Sequence, residues 1–207
     1  MPIKFGTDGW RGIIADDFTF ENVRYCAQGV SDYILTQNLA NRGLIIGYDT
    51  RFASEEFATT VAEVSAGNGI KTLLCNRPSP TPVVSYNVLF HGAGGANIIT
   101  ASHNPPQWNG FKFKPEYAGS ASPEIIDSLE EHISSSENRK YYQRILWDKA
   151  MDQNIGFVID PSIPYLKHLE GLVDIDAIKD SGLKIVVDSM YGAGAGYFNS
   201  LLSGGNL

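Results

Sequence analysis

Cysteine is nearly absent from this chain: 207 residues contain two, Cys26 and Cys75, far apart and without C-x-x-C spacing. Two isolated thiols exclude a disulfide framework and a cysteine zinc site, and they point to buried thiols in a reducing compartment. Basic charge is also scarce. Sixteen lysines and arginines stand against 23 acidic residues, a formal net charge of −7. Polyanion-binding proteins carry the opposite balance, so nucleic acid is not an expected partner. A phosphorylated ligand would need a local basic patch on an acidic body. No apolar run approaches the ~20 residues of a membrane span. Met1-Pro2-Ile3-Lys4-Phe5-Gly6 lacks the apolar core of a signal peptide. These absences predict a cytoplasmic protein with no membrane partner.

What remains is ordinary globular material, 43% hydrophobic and 19% charged, long enough to bury a sizeable core in one large domain or somewhat more. Extended and helical patterns alternate. Short strands are expected at 3–6 and 11–14, around a Gly-Thr-Asp-Gly turn. Thr19 is placed to cap a helix to about Gln37, with Val23, Cys26, Ala27, Val30 and Ile34 at helical spacing. Residues 43–48 and 70–75 read as buried strands. Ser54 before Glu55 and Glu56 reads as a helix start, and Thr81-Pro82 as another. Ala96 to Thr100 is a strand leading to Ser102. Asn109-Gly110 reads as a turn before a strand from Gly110 to Pro115. In that strand Phe111 and Phe113 face one side, and Lys112 and Lys114 the side open to a ligand. A helix follows from Ser122 to about Ser134, and residues 134–144 read as a polar linker.

Strands alternating with helices predict a three-layer α/β/α domain with a mostly parallel, mixed sheet. It is expected over residues 1–145. Residues 146–207 read as the opening part of a second, similar domain, whose clearest element is a strand over 183–188 entering the Gly192-Ala193-Gly194-Ala195-Gly196 turn. That turn lacks the G-x-G-x-x-G spacing of a dinucleotide site. One strand and one helix cannot close a sheet, so the chain is expected to be the N-terminal part of a longer protein.

The chemistry concentrates in Thr100-Ala101-Ser102-His103-Asn104-Pro105, with Lys112 and Lys114 downstream. A serine after a strand lies where open α/β sheets bind ligands. Taken alone it is more often a turn or cap residue. Ala101 and His103 flank it, so the G-x-S-x-G elbow of a serine hydrolase is missing. An imidazole on the adjacent residue suits a group aimed at substrate or phosphate better than a triad base. Lys112 and Lys114 alone would be an edge strand's protective charges. Gly6-Thr7-Asp8-Gly9-Trp10-Arg11-Gly12 offers turn amides and an arginine fork for an anion. Its plain alternative is a hairpin turn with a surface charge. Asp49-Thr50-Arg51 ends a strand, where an internal Asp49–Arg51 ion pair competes with substrate contact as its purpose.

Phe5-Gly6-Thr7-Asp8-Gly9-Trp10-Arg11-Gly12, Gly47-Tyr48-Asp49-Thr50-Arg51 and Thr100-Ala101-Ser102-His103-Asn104-Pro105, in that order, resemble the α-D-phosphohexomutases, a superfamily of phosphoglucomutases, phosphomannomutases and phosphoglucosamine mutases. The resemblance covers the first domain and the opening of the second. It implies that Ser102 is carried as a phosphoserine and donates its phosphoryl group to a hexose phosphate. A hexose 1,6-bisphosphate then reorients and returns its other phosphoryl group. Lys112 matches the proposed general acid/base, and His103 the adjacent site histidine. Thr7 and Arg11 match residues lining the site, where Lys114 is a further candidate for substrate binding.

The resemblance also implies Mg²⁺, held through the phosphate of Ser102 and by aspartates of a D-G-D-x-D-R loop. That loop does not occur in these 207 residues. The implied partners are a phosphosugar and the remaining domains of the same polypeptide, and this chain alone is expected to be inactive. Glucose and mannose phosphates are the preferred substrates. A phosphoglucosamine mutase or a non-catalytic phosphosugar-binding module is the alternative.

Overall fold

The computed structural model describes residues 3–6 and 9–203. Among them the chain forms six strands in one sheet. In chain order the first elements are β1 (Trp10–Ile13), α1 (Phe20–Thr36), β2 (Leu44–Tyr48), α2 (Ser54–Gly67), β3 (Thr72–Cys75), α3 (Thr81–His91), β4 (Gly95–Ile99), β5 (Trp108–Pro115) and α4 (Pro123–Arg139). The later ones are α5 (Trp147–Asp152), β6 (Gly156–Ile159), α6 (Ser162–Glu170), α7 (Ile175–Asp180) and α8 (Tyr197–Leu202). The sheet order is β1-β5-β4-β2-β3-β6. Pairs β2–β3, β2–β4 and β3–β6 are parallel; β1–β5 and β4–β5 are antiparallel. Five strands therefore run one way and β5 alone is reversed.

The alternation of buried strand residues sorts the helices. Leu44, Ile46, Tyr48, Ile99, Phe111 and Phe113 join α1, α2 and α4 in one core. Ile45, Leu73, Cys75, Ala96 and Ile98 meet Val84 and Val88 of α3 on the other face. α2 leaves β2 on the first face, and α3 returns from β3 over the second to reach β4. The crossovers diverge between β2 and β4, which makes their carboxyl ends the topological switch point where such sheets bind ligands. The face of α1 is set by its pattern and by Thr19, whose hydroxyl accepts from Asn22 N at 3.2 Å. At Gly29 α1 approaches α4 so closely that a Cβ would collide with Ile133 Cγ1 and lie 2.7 Å from its backbone nitrogen.

Several expectations shift. Residues 3–6 are not a strand; Gly6 and Gly9 form an isolated bridge. Asn109 and Gly110 lie inside β5, not in a turn before it: Gly110 packs so tightly between neighbours that a Cβ would sit 2.6 Å from Thr100 O. The expected linker begins later than residue 134, because α4 runs to Arg139, buries Ser136 and ends on Lys140 in a left-handed conformation. The sheet extends past residue 145: β6 pairs with β3, and α5 packs on α2. Residues 183–188 form no strand among the described residues. Ile185 is 40% and Val186 95% exposed, and no neighbouring strand meets their backbone. A strand pattern without a partner has nothing to satisfy its ladder.

Candidate functional site

Ser102 sits on the connection between β4 and β5, at the switch point. It is exposed, and its φ of +56° lies in the left-handed region, an uncommon conformation for a residue with a Cβ. Its N–H donates to Thr100 Oγ1 at 3.0 Å, and Asn104 N–H closes a turn onto Ala101 O at 3.1 Å. The loop is anchored at its base, where Thr100 N–H donates to Gly110 O at 2.9 Å. The serine thus presents its hydroxyl from a constrained platform.

The platform is held from the neighbouring strand end. Arg51 Nη1 donates to the carbonyls of Pro105 (2.9 Å) and Trp108 (3.0 Å), and Nη2 to those of Ser102 (2.9 Å) and Asn104 (2.6 Å). Its Nε lies 3.4 Å from Asp49 Oδ2. Asp49 Oδ1 accepts from Arg51 N (3.0 Å) and from Ser54 Oγ (2.8 Å), and Ser54 Oγ in turn accepts from Asn109 Nδ2 (3.0 Å). α2 does begin at Ser54, as expected. Ala53, left-handed at φ +57°, precedes the helix, and the Ser54 hydroxyl joins the loop network. From the other side Arg11 Nη1 donates to Asn104 Oδ1 at 2.5 Å.

Other candidates distribute as follows. Thr7 lies outside the described residues. His103 is exposed beside Ser102. Lys112 and Lys114 do face away from Phe111 and Phe113, but they are only 6% and 9% exposed instead of standing open on a ligand face. They pair in register with Ile98 and Ala96 of β4, and their long apolar stems suit that packed surface. Lys112 stands two residues, about 7 Å of strand, nearer the serine loop than Lys114.

A cleft of about 550 Å³ opens beside Ser102, lined also by Asp49, Arg51, Ser79, Thr81, Thr100 and Asn104, with Gly192 and Ala193 across it. That volume suits a small polar ligand. Burial, then the Glu55 carboxylate, pushes the phenol of Tyr48, just before Asp49, up to about 12. Among the described residues no three His, Cys, Asp or Glu side chains cluster for a metal. Asp49, the carboxylate on this cleft, is committed to Arg51 and Ser54. These residues do not by themselves make a Mg²⁺ site; a phosphate on Ser102 would supply one ligand.

Residues 2–140 match the family model for phosphoglucomutase/phosphomannomutase, alpha/beta/alpha domain I. The chain belongs to the phosphoglucomutase/phosphomannomutase family. A phosphoglucomutase of Komagataeibacter xylinus is 28% identical over 211 residues, covering 97% of this chain and 38% of its own length. A phosphoglucosamine mutase of Clostridium tetani is 32% identical over 197 residues, covering 93% and 41%. The crystal structure of a Thermus thermophilus protein assigned as a phosphomannomutase superimposes with a TM-score of 0.82 at 32% identity, covering 98% of this chain and 43% of that one. The chain spans about two fifths of the length of these relatives. The three-layer architecture with its mixed sheet is thus that of the family's first domain.

The role of Arg51 in the loop is the feature sequence reasoning missed. The Asp49–Arg51 pair was visible, since both end one strand. The signal for the rest was Asn104-Pro105-Pro106: two prolines leave the loop short of N–H donors while its carbonyls still need partners.

Proposed function

We propose that this chain is the phosphoserine-bearing part of a phosphohexomutase that interconverts hexose 1-phosphate and hexose 6-phosphate, with glucose and mannose phosphates as substrates. The observation that carries the reading is Ser102: exposed, left-handed and held at the switch point beside a cleft of ligand size. The names of the relatives support the reaction class. Phosphoryl transfer asks little covalent chemistry of a protein and much positioning. A hydroxyl of the bound sugar phosphate attacks the phosphorus on Ser102 Oγ. The new P–O bond forms as the bond to the serine oxygen breaks, and the sugar hydroxyl gives up its proton. Lys112 is assigned as the group that takes that proton and returns it in the reverse half-reaction. The resulting hexose 1,6-bisphosphate turns end for end and phosphorylates Ser102 again. His103, Arg11, Thr7 and Lys114 are assigned to binding and orienting the phosphates.

Mg²⁺ would neutralise charge on the transferring group, and its remaining ligands would come from outside these residues. The first domain is taken to extend to about residue 160, since β6 completes its sheet, and the second to begin after it. Localisation is cytoplasmic on this reading, in keeping with two reduced thiols. The presence of phosphoglucosamine mutases among the relatives favours that activity as the second reading; a panel of glucose, mannose and glucosamine phosphates separates them.

The test is phosphosite mapping of the protein expressed from its complete reading frame, after incubation with hexose 1,6-bisphosphate. One phosphate on Ser102, lost on chasing with hexose phosphate, is the expected result. Phosphate on another residue only would sink the assignment. Residues 1–207 alone should interconvert no hexose phosphates, and normal turnover by them would overturn that part.

A further inference from the structure

We propose that Arg51 is a positioning residue for Ser102 that acts without touching the phosphate. The proposal rests on the phosphoserine reading above. An arginine at the mouth of a phosphate site is ordinarily taken as a phosphate ligand. Here its donors are committed elsewhere. A guanidinium has five N–H groups. Four go to the carbonyls of Ser102, Asn104, Pro105 and Trp108, and the fifth faces Asp49. The Asp49 carboxylate, itself fixed by Ser54, sets the plane of the fork.

The loop needs this partner. The peptide nitrogens after Asn104 and Pro105 belong to prolines and donate nothing, so their carbonyls have no reciprocal pairing available along the loop. Holding the Ser102 carbonyl toward Arg51 also fixes the peptide that follows. In a trans peptide the carbonyl and N–H point opposite ways, so the N–H of His103 is aimed away from Arg51. The same constraint keeps Ser102 left-handed, and with it the direction of Oγ. Arg51 thereby aims the nucleophile from behind.

The two roles separate kinetically. Loss of a phosphate ligand raises KM. Loss of an aiming residue lowers kcat and leaves KM near its wild-type value, because ground-state binding is untouched. Lysine cannot substitute, since a compact ammonium does not span four carbonyls. The experiment uses Arg51→Lys and Arg51→Gln in the protein expressed from its complete reading frame. It reads kcat and KM for hexose phosphate, Ser102 phosphate by site mapping, thermal stability, and amide exchange over residues 101–109.

The expected result is a fall in kcat of about 100-fold, the scale of a 1 Å misplacement. KM should stay near wild type, with faster exchange confined to the loop. A rise in KM with the loop still protected would make Arg51 a phosphate ligand and overturn the proposal, as would an unchanged kcat. If Arg51→Gln does not fold, Arg51→Lys keeps the charge and carries the comparison. Should wild-type phosphate map away from Ser102, the phosphoserine reading fails, while loop exchange in Arg51→Lys still decides whether Arg51 holds the loop.

Discussion

Replacing Ser102 by glycine should stabilise the chain while removing the hydroxyl proposed to carry phosphate. A single non-glycine residue in the left-handed region costs about 1–2 kcal/mol through the clash of Cβ with its own backbone. Ser102 is there at φ +56°. Being exposed, its side chain contributes little burial that could be lost. Glycine removes the clash but gives the unfolded chain more freedom, a counter-term of about 0.4–1 kcal/mol. The net gain is about 0.5–1 kcal/mol. For a chain of this length that is about 1–4 °C in Tm, or about 0.3–0.5 M in a urea midpoint with m near 2 kcal/mol per M. Ser102→Ala is the control, because it keeps Cβ and the strain but deletes the hydroxyl. Parallel urea melts should therefore rank Gly above Ala, with Ala close to wild type. If Ser102→Gly melts at or below Ser102→Ala, the loop is not strained at this residue, and the view that conformational energy is stored at Ser102 is wrong.

Three further outcomes are expected. Gly29→Ala gains about 1 kcal/mol of helix propensity but forces α1 off α4 at Ile133; overpacking costs about 1–3 kcal/mol. A drop of a few degrees in Tm is expected, and an unchanged Tm would mean the helices separate freely. Both thiols are buried, and desolvation raises them, Cys75 to about 12 and Cys26 well above its ordinary value, with Glu137 adding to the effect at Cys26. Ellman's reagent at pH 8 should label neither in the folded chain and both in urea; one fast thiol in the native state contradicts the packing. Glu63 Oε2 accepts from Arg144 Nε at 2.7 Å, and Oε1 from Trp147 N at 3.2 Å. Glu63→Ala should cost about 1–2 kcal/mol and speed tryptic cleavage after Arg144, whereas unaltered cleavage would show that the segment is held by other contacts.

The helical parts were legible wherever one face was apolar and a cap was near, as at Thr19 and Pro82. The reversed strand β5 was legible in its Phe111–Lys114 alternation, though not in its start. Asn109-Gly110 has the chemistry of a turn, and only the close approach of Thr100 explains the glycine as a strand residue. Ser54 before two glutamates was legible as a helix start, and α2 begins there; that its hydroxyl also joins Asp49 and Asn109 was not, since Asn109 is 55 residues away. The loop around Ser102 was legible as a candidate site, since serine, histidine and prolines crowd one connection. Its scaffold was not, because Arg51 lies 51 residues away from Ser102 in sequence and no local pattern reports a contact of that range. Residues 183–188 carry a strong strand pattern, but a pattern cannot supply the neighbour that a strand requires.

The single reversed strand has a kinetic side. β4 and β5 are sequence neighbours joined by the short Thr100–Gln107 connection, whereas β2, β3, β4 and β6 pair only after helical crossovers. Local antiparallel contacts close with little loss of chain entropy and parallel ones with more. The hairpin that carries Ser102 can therefore assemble early, before the guanidinium from the end of β2 arrives to fasten it. Between those two events the serine sits on a loop of roughly correct outline and uncertain aim. A folding intermediate of this chain would carry Ser102 in its hairpin before Arg51 had fastened the loop around it.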